Sequence, residues 1–170
     1  MLSALLRKFL NILFSSGSDD PKLEEIFKSG NQIRDLPDYE IAFTDVNAEL
    51  ASLGIEYMRK PHFVNDYTYN YTDEDGWNKI VPYLTFPADW YINDRAKCNT
   101  YAMLAVCKAL FVYGLNVFET WGMTPMGYHA FCMVRLSDGR FKLFESNAGF
   151  EYAGELFNIG EHGYVPNGWE

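Results

Sequence analysis

One stretch, from Cys98 to Asn147, constrains the fold more than any other. It pairs a small-residue helix with the strands that must cover it. Ala102, Ala105, Val106, Ala109 and Tyr113 share a helical face with Cys98, and Gly114 closes the run. The spacing predicts a buried helix over 98–113 with a cysteine in its first turn. Strands follow at 116–121, 128–136 and 140–147. A loop at 122–127 joins the first two, and a hairpin turn at Ser137–Asp138–Gly139 joins the last two.

A cysteine opening a helix sits where the helix dipole favours thiolate over thiol, and the thiolate is the nucleophile. Its own backbone N–H has no intrahelical partner and is available to a developing oxyanion. Arg95 and Lys97 would add to the effect if they point inward. The chain has 3 histidines. His62 follows Pro61 in an irregular region and His162 lies in a Gly-rich tail. His129 opens a strand two elements after the cysteine helix and is the candidate general base.

The third member is Glu145 or Asn147, and strand pairing separates them from His129 or brings them to it. A two-residue loop at Asp138–Gly139 sets Cys132 opposite Glu145 and Ala130 opposite Asn147, with both candidates on the face away from His129. A three-residue loop with Gly139 in a left-handed bulge shifts the pairing by one. Phe131 then faces Glu145, His129 faces Asn147, and Glu145 lies diagonal to His129 on one face. The sequence permits this second register without forcing it.

Cys107 and Cys132 read as buried small hydrophobes. Cys98 and Cys107, nine residues apart on one helix, point about 180° apart, so they do not pair. Three cysteines without CxxC spacing offer neither a disulfide framework nor a zinc site. A free thiol suits a reducing compartment.

The first half of the chain is less informative. Leu2, Leu5, Leu6, Phe9, Leu10, Leu13 and Phe14 recur at helical spacing, so residues 1–14 form an amphipathic helix, too short to span a bilayer. It docks on a membrane surface or protein partner, or it packs on its own domain or a second copy. Residues 15–18 are a linker, which makes 1–18 a detachable element before a domain over 19–170. A short helix is expected from Pro21 to Gly30, and a second capped by Thr44 and Asp45 and ended by Gly54. Tyr67, Tyr69 and Tyr71 alternate as in a strand, with rings that pack on the sheet or form a substrate platform. Asp73, Glu74 and Asp75 precede a helix-like run from Trp77 to Leu84 that Pro82 interrupts. They read as capping carboxylates, with a calcium site as the alternative, although the EF-hand pattern lacks its final glutamate. No other cofactor is expected.

The composition is that of a globular chain, with 170 residues, 48% hydrophobic and 22% charged. A net charge of −9 with scattered cations disfavours nucleic acid. Arg7 and Lys8 break what would be a signal-peptide apolar run, so the expectation is a cytoplasmic or virion-associated protein.

The stretch Asp94–Arg95–Ala96–Lys97–Cys98–Asn99–Thr100–Tyr101–Ala102 resembles the nucleophile motif of transglutaminase-like cysteine peptidases, in which a cysteine is often followed by acidic residues and then aromatic–alanine. His129–Ala130 is similar to their histidine strand. Phe141–Lys142–Leu143–Phe144–Glu145 is similar to the strand that ends in the orienting acid. The same residues resemble papain-like domains found in phage proteins and at the C-terminus of a fungal agglutinin, where the third residue is glutamate. The likeness covers 94–147, with weaker echoes at Trp77 and Gly163–Tyr164. Asn99 and Thr100 stand where the acidic pair often does, so no metal role is carried over for that pair. No upstream glutamine of the papain kind stands out. The resemblance implies an α+β fold, an antiparallel sheet packed against the cysteine-bearing helix as a papain/transglutaminase-like core, and a Cys98–His129–Glu145 triad acting on a peptide or amide. The expected function is cysteine peptidase or amidase. The alternatives are a peptidoglycan amidase or endopeptidase, and a non-catalytic virion or host-interaction protein that keeps the fold.

Overall fold

The computed structural model describes residues 28–33, 35–58, 68–90 and 97–170. The expected helix at 1–14, residues 21–27 of the one expected to end at Gly30, the linker at 15–18, His62, Tyr67 and Arg95 lie outside these residues; Lys28 is helical and Gly30, at φ 78°, stands in a turn. The described part is α+β, with three α-helices and two sheets. The larger sheet carries six strands: β2 (Glu56–Tyr57), β4 (Phe118–Thr124), β5 (Gly127–Arg135), β6 (Phe141–Phe144), β7 (Phe157–Asn158) and β8 (Val165–Trp169). Their spatial order is β2-β8-β4-β5-β6-β7, antiparallel except for the β2–β8 pair. A separate antiparallel ribbon joins β1 (Tyr39–Ala42) to β3 (Thr68–Tyr71).

Alternation along β4 and β5 sends side chains to two cores. On one face Ala130, Cys132 and Val134 pack beneath α3 (Cys98–Lys108), with Ala102 and Ala105 fully buried against them. On the other face Phe118, Phe131 and Met133 join Leu143 and Trp169 beneath α1 (Phe43–Ser52), which contributes Val46 and Leu50. Small residues along α3 let the helix lie close to the sheet. A π-turn over Ala109–Tyr113 extends it, and Gly114, at φ 73°, ends it.

Several expectations are corrected. The 122–127 loop is instead a tight turn at Pro125–Met126, because β4 runs on to Thr124 and pairs through Thr124↔Gly127. Gly122 is a strand residue: β8 passes so close that a Cβ there would lie 2.2 Å from the Val165 carbonyl oxygen. The third strand stops at Phe144, and Glu145 and Asn147 make isolated bridges to Ala153 and Phe86. The tail supplies β8 between β2 and β4, and its Pro166 sits at the irregularity in the β4–β8 pairing, where a missing N–H is tolerated. Thr44 and Asp45 lie inside α1, whose N-cap is Ala42, with no side-chain cap.

The aromatic and capping expectations hold. Tyr69 stacks on Phe118 at 5.3 Å and Tyr71 on Tyr39 at 5.6 Å, so these rings pack within the fold. Asp73 caps α2 (Glu74–Ile80) by accepting from the Gly76 N–H at 2.7 Å. A 3₁₀ turn containing Pro82 continues α2 over Val81–Leu84. Glu74 pairs with Arg140 and Lys142. Among the described residues no three His, Cys, Asp or Glu side chains gather as a metal site, and no helix is long and apolar enough to cross a membrane.

Candidate active site

The β5–β6 hairpin takes the three-residue register. Leu136 and Arg140 close it, Gly139 adopts φ +86°, and the ladder runs Arg135↔Phe141 to Cys132↔Phe144. Continued by one step, it sets Glu145 opposite Phe131 and diagonal to His129. Pairing with β6 stops at Phe144, which leaves the His129 end of β5 without a neighbour on that side. There the imidazole, on the face opposite the α3 core, meets the start of α3.

Cys98 is the first residue of α3, after Lys97 at the N-cap, and it is half-buried. The Lys97 N–H donates to Thr100 Oγ1 at 3.2 Å, which fixes the first turn. Lys97 itself is exposed. Cys98 and His129 lie close enough for each side chain to shift the other's proton affinity. Since His129 Nε2 lies 2.8 Å from Glu145 Oε2, Nδ1 is the nitrogen left for the sulfur. His129 and Glu145 are 7% and 1% exposed, so water screens their pairing little.

Burial pushes the Cys98 thiol up. The His129 hydrogen bond, the Ala130 N–H, the imidazolium charge and the Asn99 N–H outweigh it and hold the thiol below its ordinary range. Burial likewise pushes the His129 imidazole down. Hydrogen bonds to Cys98 and Glu145, with the charges of both, outweigh it and raise the imidazole to about 9. The two directions agree: the pair favours thiolate and imidazolium. The other cysteines behave oppositely. Burial and the charge of Glu119 raise Cys107 to about 11, and burial, foremost, raises Cys132 well above the ordinary value.

Asn147 does not reach the imidazole by hydrogen bond. Its Oδ1 accepts from the Gly149 N–H at 2.9 Å, and its own N–H donates to Glu145 Oε1 at 3.0 Å. It shapes the turn that carries the carboxylate. His162, the other described histidine, stacks on Tyr152 at 3.5 Å in the tail.

Two neighbours were not expected as site residues. Phe150 stacks on the His129 ring at 4.7 Å and covers it. Tyr164 directs its hydroxyl to Glu145 Oε2 at 3.4 Å, the oxygen that also holds His129. Burial and the Glu145 charge raise the Tyr164 phenol, which keeps it a donor. The Gly163–Tyr164 echo was the only sequence signal for Tyr164, and Phe150 had none.

No known relative identifies the chain. No family model, curated protein or solved structure matches it. The arrangement itself has the parts of a nucleophilic acyl-transfer centre: a sulfur with an adjacent base, an orienting carboxylate and a free helix-start N–H.

Proposed function

We propose that the chain is a thiol-dependent acyl-transfer enzyme, a cysteine peptidase or amidase with a papain/transglutaminase-like core. The observation that supports it is the His129 Nε2–Glu145 Oε2 contact at 2.8 Å together with a sulfur at a helix start, Cys98, whose proton affinity the imidazole lowers. The Cys98 thiolate attacks the carbonyl carbon of a peptide or amide and forms a carbon–sulfur bond. The Cys98 N–H donates to the oxyanion. The His129 imidazolium gives its proton to the leaving amine as the carbon–nitrogen bond breaks. Water then adds to the thioester and surrenders a proton to His129. Carboxylic acid leaves as the sulfur departs, and the ion pair is restored. Glu145 holds the ring so that Nδ1 faces the sulfur throughout.

Alkylation by iodoacetamide at pH 6.5–7, with the modified residue mapped by mass spectrometry, tests the reading. Cys98 is expected to react first, about tenfold or more faster than a thiol of ordinary pKa. His129→Ala is expected to remove most of that advantage, because burial of the sulfur remains while the imidazole, its largest favourable partner, goes. Equal, slow labelling of all three thiols would overturn the reading and favour a non-catalytic binding protein.

A further inference from the structure

Helix α3 and its π-turn meet water through apolar side chains. Among the residues from Cys98 to Tyr113, Lys108 is the one lysine, arginine, aspartate or glutamate, and it is 1% exposed. Leu110 and Phe111 are 46% and 53% exposed, and Val106 and Met103, one and two turns before Leu110, are half-buried. A surface helix ordinarily turns charged residues to water, and a helix that is apolar all round is covered. The described part begins at Lys28, beside this patch. Ser29 Oγ accepts from Lys108 Nζ at 2.7 Å, and a Cβ on Gly30 would collide with Tyr83 and the Tyr113 hydroxyl. Phe111 is the i+3 neighbour of Lys108 on the helix surface. Residues 1–27 therefore join the described part within about one turn of Phe111.

We infer that this patch is the docking surface for the chain's own residues 1–14, which lie along α3 as a clasp. Leu2, Leu5, Leu6, Phe9, Leu10, Leu13 and Phe14 recur at helical spacing, so the segment has an apolar stripe of its own to bury. As a helix it runs about 20 Å, against about 24 Å for residues 98–113. Residues 15–27 span up to about 45 Å when extended, enough to turn back from Ser29 and lay the segment on α3. Two apolar surfaces on one such tether meet at an effective concentration in the millimolar range, and each removes the other from water. A membrane would cover the segment but leave Leu110 and Phe111 in water. The clasp braces the helix that Cys98 opens, yet it depends on nothing in the acyl-transfer reading.

The test uses the full chain with the photoreactive residue p-benzoylphenylalanine in place of Phe111, irradiated in dilute solution and mapped by mass spectrometry. The expected product has the mass of one chain and joins position 111 to residues 2–14. Leu5→Ser/Phe9→Ser, which breaks the apolar stripe, should cut its yield about tenfold or more. Arg7→Ser, off the stripe, should leave the yield unchanged. The same photoreactive residue in place of Met126, 81% exposed at the β4–β5 turn, should give no such product. Full yield in Leu5→Ser/Phe9→Ser, or cross-links from position 111 that avoid residues 1–27, would overturn the clasp. A product at twice the chain mass would overturn it in favour of a second copy. So would the absence of the one-chain product in a protein that co-sediments with phosphatidylglycerol vesicles, which would assign the segment to a membrane surface.

Discussion

At Glu145 one buried carboxylate accepts from three donors: His129 Nε2, the Asn147 N–H and the Tyr164 hydroxyl. Glu145→Gln keeps the shape and removes the charge, so imidazolium becomes less stable and the thiolate with it. Alkylation of Cys98 at pH 7 is expected to slow about tenfold, read from rate against pH. Tyr164→Phe keeps the charge and removes one donor. It is expected to lower stability by about 1 kcal/mol, by urea denaturation, with a smaller effect on the alkylation rate. At this scale the sequence was readable where chemistry dictates residue type. A helix-start cysteine and a strand histidine stand out by their places. Phe150 and Tyr164 act through ring packing and one hydroxyl, which carry no spacing signature in a turn-rich tail.

Among the elements, α3 bears a conflict that its pattern hides. Lys108 lies in its last turn, 1% exposed, with Nζ donating to Ser29 Oγ at 2.7 Å and 6.0 Å from the Phe86 ring centroid. Burial lowers its pKa to about 8 from an ordinary 10.5. The unfolded chain therefore binds the proton more tightly than the folded one. The cost to stability is full below pH 8, shrinks as pH rises from 8 towards 10.5, and is gone above that. Lys108→Met is expected to raise stability by about 1 kcal/mol at pH 7 and to lose that gain by pH 10.5, by thermal unfolding across pH. Helix α3 itself was legible from its alanines. The hairpin register was legible only as a choice of two, because Ser137–Asp138–Gly139 supports either loop. Gly122, Pro125 and Gly127 punctuate the sequence like a loop, yet Gly122 answers the close approach of β8.

Across the molecule, the last strand ties the two halves together. Trp169 is fully buried and meets Phe43 of α1, Tyr57 of β2, Tyr69 of β3 and Phe118 of β4. Trp169→Ala is expected to cost about 3–5 kcal/mol, measured by chemical denaturation. A loss under 1 kcal/mol would show that β8 adds little. The sequence hid this strand because Val165–Pro166–Asn167–Gly168 carries turn residues. Pro166 fits the pairing irregularity, and Gly168 leaves room for Met58, whose sulfur would lie 2.3 Å from a Cβ there. Long-range strand order of this kind has no local signal, whereas the helix-to-strand order that brings Cys98 to His129 is written in consecutive elements.

The joint proton balance of Cys98 and His129 decides whether the sulfur is poised as a nucleophile, and the imidazole reports it directly. The measurement is the pH titration of the His129 ring by ¹³C or ¹⁵N NMR, in the unaltered chain and in Cys98→Ala. The ring is expected to stay protonated through neutral pH and to titrate at about 9 in the unaltered chain. Without the sulfur it should titrate lower. A ring that titrates near the ordinary value of about 6.5 in both proteins would contradict the claim.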